Sequence, residues 1–328
     1  MSEQTLPVWP VMTIKGAPDP EVLADLRALA DAAAEADGNP PLSEQTWVQL
    51  RSPGPDDLLV LASYAAEEHS DPATASSLAG AAVVVLPRGG TGVLELVVHP
   101  AYRNQGVATG LLDEVCRHTE LPNLRAWSHG GHAGAAALAA GFGFVPVREL
   151  WRMRLAHVPQ VAGGELPAGV ALRAFVPGQD EEAWLKANAA AFAHHPEQGS
   201  MTMADLQARM AEPWFDPAGF LLAVREEDGE LLGFHWTKVH PGTGAHPSIG
   251  EVYVLGVTPQ AQGMGLGRAL TVAGIKHLQA AGQSAIMLYV DADNEAAVAL
   301  YRRLGFTRWD TDVMYAPADP AAAGRADH

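Results

Sequence analysis

A chain of 328 residues is long enough for two domains, and 48% apolar against 18% charged residues supplies the material for packed cores. Acidic side chains outnumber basic ones 38 to 21, a formal net charge of −17 with only four lysines, which excludes nucleic acid as the main partner. A single cysteine, Cys116, excludes a disulfide framework and any multi-cysteine metal site; one helical turn beyond Leu112, it reads as core packing.

Taken from the N-terminus, Met1-Ser2-Glu3-Gln4 lacks a basic segment followed by an apolar one, so no secretory signal is expected. The longest apolar stretch, near residues 78–86, is too short to span a bilayer. The expectation is a cytoplasmic protein with no membrane partner.

Residues 94–111 read as a strand ended by Pro100, a glycine-bearing turn and an amphipathic helix. The pattern returns at 253–270. At a constant offset of 159, Leu96 meets Leu255, Val98 meets Val257, Pro100 meets Pro259, Gly106 meets Gly265 and Leu111 meets Leu270. A second pair follows at an offset of 162, where 135–144 (AAALAAGFGF) matches 297–306 (AVALYRRLGF). Order and separation are kept, which indicates one duplicated domain rather than a short-period solenoid. The expected division is a first domain over 1–157, a Pro/Gly-rich linker over 158–169, a second domain over 170–316 and a disordered tail over 317–328.

In the second half, apolar runs at 220–224 and 231–239 flank Asp228-Gly229, a strong hairpin signal. A strand over 250–257, a helix over 265–281, a strand over 285–291 and a helix over 294–304 follow. The first half repeats this with a longer hairpin loop. The expected fold class is α/β of the α+β type: two tandem domains, each a mixed, mostly antiparallel sheet flanked by helices.

The turn Gln262-Gly263-Met264-Gly265-Leu266-Gly267 lies between a strand and a helix. Glycines there let backbone N–H groups approach a ligand, and a helix N-terminus favours negative charge, so a phosphate or pyrophosphate suits it. It lacks the Gly-Lys-Ser/Thr ending of a P-loop and the spacing of a dinucleotide fold. Alone, such a turn is as often a tight connection as a binding loop.

Gln262, Gly265 and Gly267 form a Gln-x-x-Gly-x-Gly motif that resembles the acetyl-CoA pyrophosphate loop of GCN5-related N-acetyltransferases. Arg103, Gly106 and Ala108 give the Arg-x-x-Gly-x-Ala version, and Asn294, Tyr301 and Leu304-Gly305-Phe306 resemble the superfamily's later helix. Further blocks narrow the resemblance: His195-Pro196-Glu197-Gln198-Gly199, Trp214-Phe215-Asp216-Pro217, Gly233-Phe234-His235-Trp236-Thr237-Lys238 and Gly250-Glu251-Val252-Tyr253 in the second half, with Trp127-Ser128-His129-Gly130 in the first. Together they are similar to the mycothiol synthase family. That resemblance implies transfer of acetyl from acetyl-CoA to the cysteinyl amine of desacetylmycothiol (cysteinyl-glucosaminyl-inositol), the last step of mycothiol biosynthesis.

The resemblance also assigns residues. Glu251 falls on the general base, acting directly or through water, and by alternation it shares a strand face with Tyr253 and Leu255. Tyr301 falls on the general acid that protonates the coenzyme sulfur; Ala139 stands at the matching first-half position, which makes that half catalytically degenerate. Acetyl-CoA is expected on Leu255, Gly256 and Val257, on Gln262, Gly263, Met264, Gly265, Leu266, Gly267 and Arg268, and on Asn294, Glu295, Ala296, Ala297, Val298 and Ala299. The first-half counterparts are Leu96, Val97 and Val98 with Asn104, Gln105, Gly106, Val107, Ala108 and Thr109. Glu44, Glu197, Lys238, Glu251 and Tyr289 match acceptor contacts; since Glu44 lies in the first domain, the acceptor is expected between the domains.

His235 and His240, an odd number of positions apart, are expected on opposite strand faces. His129 and His132 have no evident partner, and no metal site is expected. A monomer is expected. Two alternatives stand: a tandem acetyltransferase for another amine, such as an aminoglycoside or protein N-terminus, or a non-catalytic acetyl-CoA-binding regulator.

Overall fold

The computed structural model describes residues 9–51, 58–65, 78–86, 91–156, 163–193, 196–242 and 247–318. Along the chain run β1 (Val11–Lys15), α1 (Pro20–Asp37), α2 (Glu44–Arg51), β2 (Leu58–Tyr64), β3 (Leu78–Val85), β4 (Gly92–Val98), α3 (Val107–His118), β5 (Leu124–Ser128), α4 (Ala133–Gly141) and β6 (Phe144–Ala156). Then follow β7 (Val170–Ala174), α5 (Glu181–Ala191), α6 (Pro196–Gly199), α7 (Met203–Met210), β8 (Phe220–Arg225), β9 (Leu231–His240), β10 (Ile249–Val257), α8 (Leu266–Ala280), β11 (Ala285–Asp291), α9 (Glu295–Arg303) and β12 (Thr307–Pro317).

By backbone contacts the chain forms two compact units, Met1–Leu150 with Asp310–His328, and Trp151–Trp309. The sequence division at 158–169 follows the repeat; the contact division is offset from it because two strands change hands. The far part of β6 belongs to the second unit, and the far part of β12 to the first. Residues 157–162 of the expected linker and 319–328 of the expected tail lie outside the described residues.

In the first unit the strand order is β1-β2-β3-β4-β5-β12. All neighbours are antiparallel except β4 and β5, which are parallel. Helices α1 and α2 bury Leu26, Leu29 and Trp47 against Val60, Val83 and Val97 on one face. Helix α3 buries Val107, Leu111 and Val115 on the other. Cys116 is half-buried beside that stripe, and burial pushes its thiol up from the ordinary value, so it is a poor nucleophile.

The second unit repeats the plan in the order β7-β8-β9-β10-β11-β6, with β10 and β11 parallel. Helices α8 and α9 cover one face through Leu278, Ile275, Val298 and Tyr301. Helix α5 covers the other, where Trp184 meets Phe220, Phe234 and Trp236 edge-on at centroid distances of 5.4, 5.3 and 5.8 Å. Edge-to-face aromatic pairs of this kind add directional preference to area burial. The mixed, mostly antiparallel sheets and their flanking helices are those the sequence pattern predicts.

Candidate active site

Two features of β10 shape the second unit's site. Its parallel pairing with β11 runs over Gly250–Ile286, Glu251–Met287 and Val252–Leu288 and, among the described residues, goes no further. Its antiparallel pairing with β9 shifts between Val252 and Val254. Tyr253 is therefore an extra residue, a β-bulge, and bulges re-aim the side chains that follow. Val252 and Leu255 pack toward α8 and α9, whereas Tyr253 and Val254 both join the aromatic core on the opposite face. The expected shared face of Glu251, Tyr253 and Leu255 is corrected accordingly: Tyr253 keeps it, and the bulge turns Leu255 away.

The face bearing Tyr253 carries the ionisable groups. Glu251 is 5% exposed and sits across from Lys238 in the β9–β10 register. Two residues further on β9, His240 Nε2 lies 2.6 Å from Glu251 Oε2. The Lys238 ammonium rests 4.4 Å from the Trp214 ring centroid and 5.1 Å from that of Tyr253, a cation–π setting that holds its head while the stem lies on the sheet. Arg209 Nε donates to the Tyr253 hydroxyl at 3.0 Å. Sequence reasoning named Glu251 and Lys238 as site residues; it named His240 and Trp214 without a site role and did not name Arg209. The parity of Lys238 and His240 on one strand was the available signal for His240.

His235 points the other way, as strand parity predicts. It is fully buried, its Nδ1 2.8 Å from the Leu270 carbonyl oxygen, and a Cβ at Gly274 would collide with its ring. Burial lowers its pKa to about 4, so it is a neutral packing group.

The glycine turn opens α8. Gly263 and Gly265 have φ of +81° and +80°, left-handed conformations that favour glycine, and nothing lies within 4 Å of where their Cβ atoms would be. Gly265 caps α8 with no side-chain bond, leaving the first-turn N–H groups for an anion. Met264 is exposed, as are Gln262 and Arg268, and Leu266 is buried beneath the turn. The first unit keeps the same turn shape. Asn104 has φ +60° where the second half has Gly263, and Gly106, φ +87°, caps α3. Arg103, however, makes a two-pronged ion pair with Asp37 at 2.7 Å through each nitrogen. Burial opposes that charge on Asp37, yet Arg103 holds its carboxyl below the ordinary range.

Tyr301 lies on α9, 7% exposed, against Phe306 at 5.8 Å. Burial raises its phenol to about 12, and among the described residues its hydroxyl has no hydrogen-bond partner. Asn294 caps α9, accepting from the Ala297 N–H at 3.1 Å. Tyr289 is half-buried on β11, and Glu44 is half-buried as the first residue of α2, in the other unit. Glu197 lies on α6, but its side chain is outside the described residues.

The first unit differs at the chemical positions. Ala139 on α4 stands where Tyr301 stands in the second. The expectation that His129 lacks partners is overturned: His129 Nδ1 lies 3.0 Å from Asp312 Oδ2 and its Nε2 2.9 Å from Glu95 Oε1. His132 Nε2 lies 3.3 Å from Asp37 Oδ2. These partners are far away in sequence, where no local pattern reveals them. Among the described residues no group of three or more His, Cys, Asp or Glu side chains could hold a metal, and no helix is long and apolar enough to cross a membrane.

The model of the acetyltransferase (GNAT) family matches residues 28–144 and 183–306, once in each half. The mycothiol acetyltransferase of Arthrobacter sp. (strain FB24) is 65% identical over 315 residues, covering 94% of this chain and 96% of the relative. That of Paenarthrobacter aurescens (strain TC1) is 67% identical over 312 residues, with the same coverage. Among solved structures, a tandem GNAT protein from the clavulanic acid biosynthesis pathway superposes with TM-score 0.70 at 19% identity, covering 94% of this chain and all of that one. At such identity the likeness concerns the fold alone. The chain belongs to the acetyltransferase (GNAT) family and, within it, to the mycothiol acetyltransferases.

Proposed function

We propose that the chain transfers the acetyl group of acetyl-CoA to the cysteinyl amine of desacetylmycothiol, giving mycothiol and CoA. The observation that carries this reading is the buried Glu251 carboxylate on the same strand face as Lys238 and Tyr253, in a chain 65% identical to a mycothiol acetyltransferase.

Acetyl-CoA supplies the thioester carbonyl and the thiol leaving group. The protein's residues fit it: the open turn at Gly263 and Gly265 and the start of α8 offer N–H donors to its pyrophosphate. Beyond Val252, where β10 parts from β11, the backbone of Leu255, Gly256 and Val257 suits the pantetheine arm and the thioester oxygen. Asn294 and the start of α9, Glu295 to Ala299, would contact the coenzyme further along. The first-unit set, Leu96 to Val98 and Asn104 to Thr109, keeps the turn shape for a second molecule, although Arg103 is already engaged by Asp37.

Glu251 takes the proton from the acceptor's ammonium, and His240 holds one carboxylate oxygen so that the other faces the amine. Tyr301 delivers a proton to the departing sulfur. Burial keeps it protonated at working pH, and also makes it a weaker acid than a free phenol, so delivery is favoured only as negative charge builds on sulfur. Lys238, Tyr289, Glu44 and Glu197 bind the hydroxyl-rich sugar and inositol. Mass spectrometry of the product tests the reading: acetyl on the cysteinyl nitrogen supports it, and acetyl on sulfur or on the glucosamine ring contradicts it.

A further inference from the structure

In the first unit, a run of hydrogen bonds through two buried carboxylates ends at the residue beside Glu44. His129 follows β5 and sits between Asp312 of β12 and Glu95 of β4. Both acceptors are carboxylates, so both ring nitrogens carry protons and the ring is an imidazolium. Each carboxylate uses its second oxygen as well. Asp312 Oδ1 accepts the Gly130 N–H at 2.9 Å, and Glu95 Oε2 accepts the Ser43 N–H at 2.9 Å.

Ser43 is where α2 begins. Its carbonyl accepts the Trp47 N–H at 3.1 Å, and its Oγ accepts the Thr46 N–H at 3.2 Å. Glu44 is the next residue. Helix α2 has only eight residues, and a helix so short is marginal unless something outside it holds its end. Glu95 is 1% exposed and Asp312 5%, and two buried carboxylates around one imidazolium are a costly arrangement for fixing a helix start that a serine cap alone can satisfy. Such an investment is physically sensible where the helix start must be placed within a fraction of an ångström.

We propose that Asp312, His129 and Glu95 form a positioning relay that fixes the Ser43–Glu44 turn, and with it the Glu44 carboxylate, for the hydroxyl groups of the acceptor. The proposal rests on the reading of Glu44 as an acceptor contact. None of the three relay residues touches the reacting atoms; they act through Ser43.

The test is steady-state kinetics on the full chain with acetyl-CoA and desacetylmycothiol, comparing Glu44→Gln, His129→Gln and the double variant. Glu44→Gln raises the acceptor KM roughly tenfold, the scale of one lost charge-assisted hydrogen bond. His129→Gln raises it roughly five- to tenfold, with kcat and the acetyl-CoA KM within about twofold, a split that general unfolding does not produce. The double variant is no worse than Glu44→Gln alone, because residues acting through one group are not additive. Multiplying effects, or an unchanged acceptor KM in His129→Gln, overturn the relay while leaving Glu44 in place. An unchanged KM in Glu44→Gln removes the acceptor-contact reading itself. If His129→Gln does not fold, Asp312→Asn keeps the His129–Glu95 contact and raises the acceptor KM by about threefold, and no rise there overturns the relay.

Discussion

Glu251 and His240 meet at 2.6 Å across neighbouring strands, the carboxylate 7% exposed and the imidazole 35%. One group is shielded and the other reaches water, an arrangement that gives a proton taken up inside a route out. Glu251→Gln removes the proposed base but keeps the shape. We expect kcat/KM to fall roughly 10²- to 10³-fold, most at low pH, where an α-amine is largely protonated. His240→Asn gives a smaller loss, about tenfold, with a changed acid limb in the pH–rate profile. Profiles with unchanged shape and height in both variants would exclude the pair from proton transfer.

Tyr301→Phe removes one oxygen from a buried ring and leaves the packing against Phe306 intact. Turnover falls roughly 10²-fold or more with acetyl-CoA affinity kept. With the phenol pushed up to about 12, wild-type activity shows no alkaline loss from tyrosine ionisation near pH 10. Steady-state rates of the two proteins from pH 6 to 10.5 check both statements.

Lys238→Met retains the stem on Trp214 and Tyr253 but deletes the ammonium. The acceptor KM rises roughly tenfold while the acetyl-CoA KM changes little. Lys238→Arg restores the charge without the compact head and rescues only in part. Equal effects on both substrates' KM values count against an acceptor role.

The His129 imidazolium also marks stability. Burial disfavours its charge, but hydrogen bonds and charges from Asp312 and Glu95 prevail and raise its pKa to about 10. An unfolded histidine titrates near 6.5, so its contribution is complete below about pH 6.5 and is lost as pH rises through about 10. Between those values it removes up to about 1.4 kcal/mol of stability per pH unit. Glu95 works in the opposite sense. Burial alone would raise it, but the His129 hydrogen bond and charge, with Ser43 and Thr46, hold it low, so its contribution exists above the ordinary carboxylate value and is lost in acid. Urea unfolding of wild type and His129→Gln from pH 5 to 10 reads this out: the slope above neutrality weakens in the variant.

Local signals made much of this molecule legible. The Asp228-Gly229 turn, the proline after each glycine-loop strand and the apolar stripes of α3 and α8 all act within a few residues, and the duplication multiplied them. The roles proposed for Glu251 and Tyr301 came from the family resemblance that such motifs carry. The bulge at Tyr253 did not, because it exists only relative to the register of β9, and it reversed the face assigned to Leu255. The His129 partners lie 34 and 183 residues away, and the exchange of β6 and β12 between units is a property of pairing rather than of pattern.

Release of CoA, followed with cysteinyl-glucosaminyl-inositol beside an aminoglycoside and a peptide with a free N-terminus, decides which amine the site acetylates. Rapid turnover of the cysteinyl acceptor is expected, with the other amines at least roughly 10³-fold lower in kcat/KM, since a site that hydrogen-bonds one arrangement of hydroxyls rejects acceptors that leave those bonds unmade. Brisk acetylation of another amine with none of the cysteinyl acceptor, or CoA binding without turnover of any amine, would contradict the proposed function.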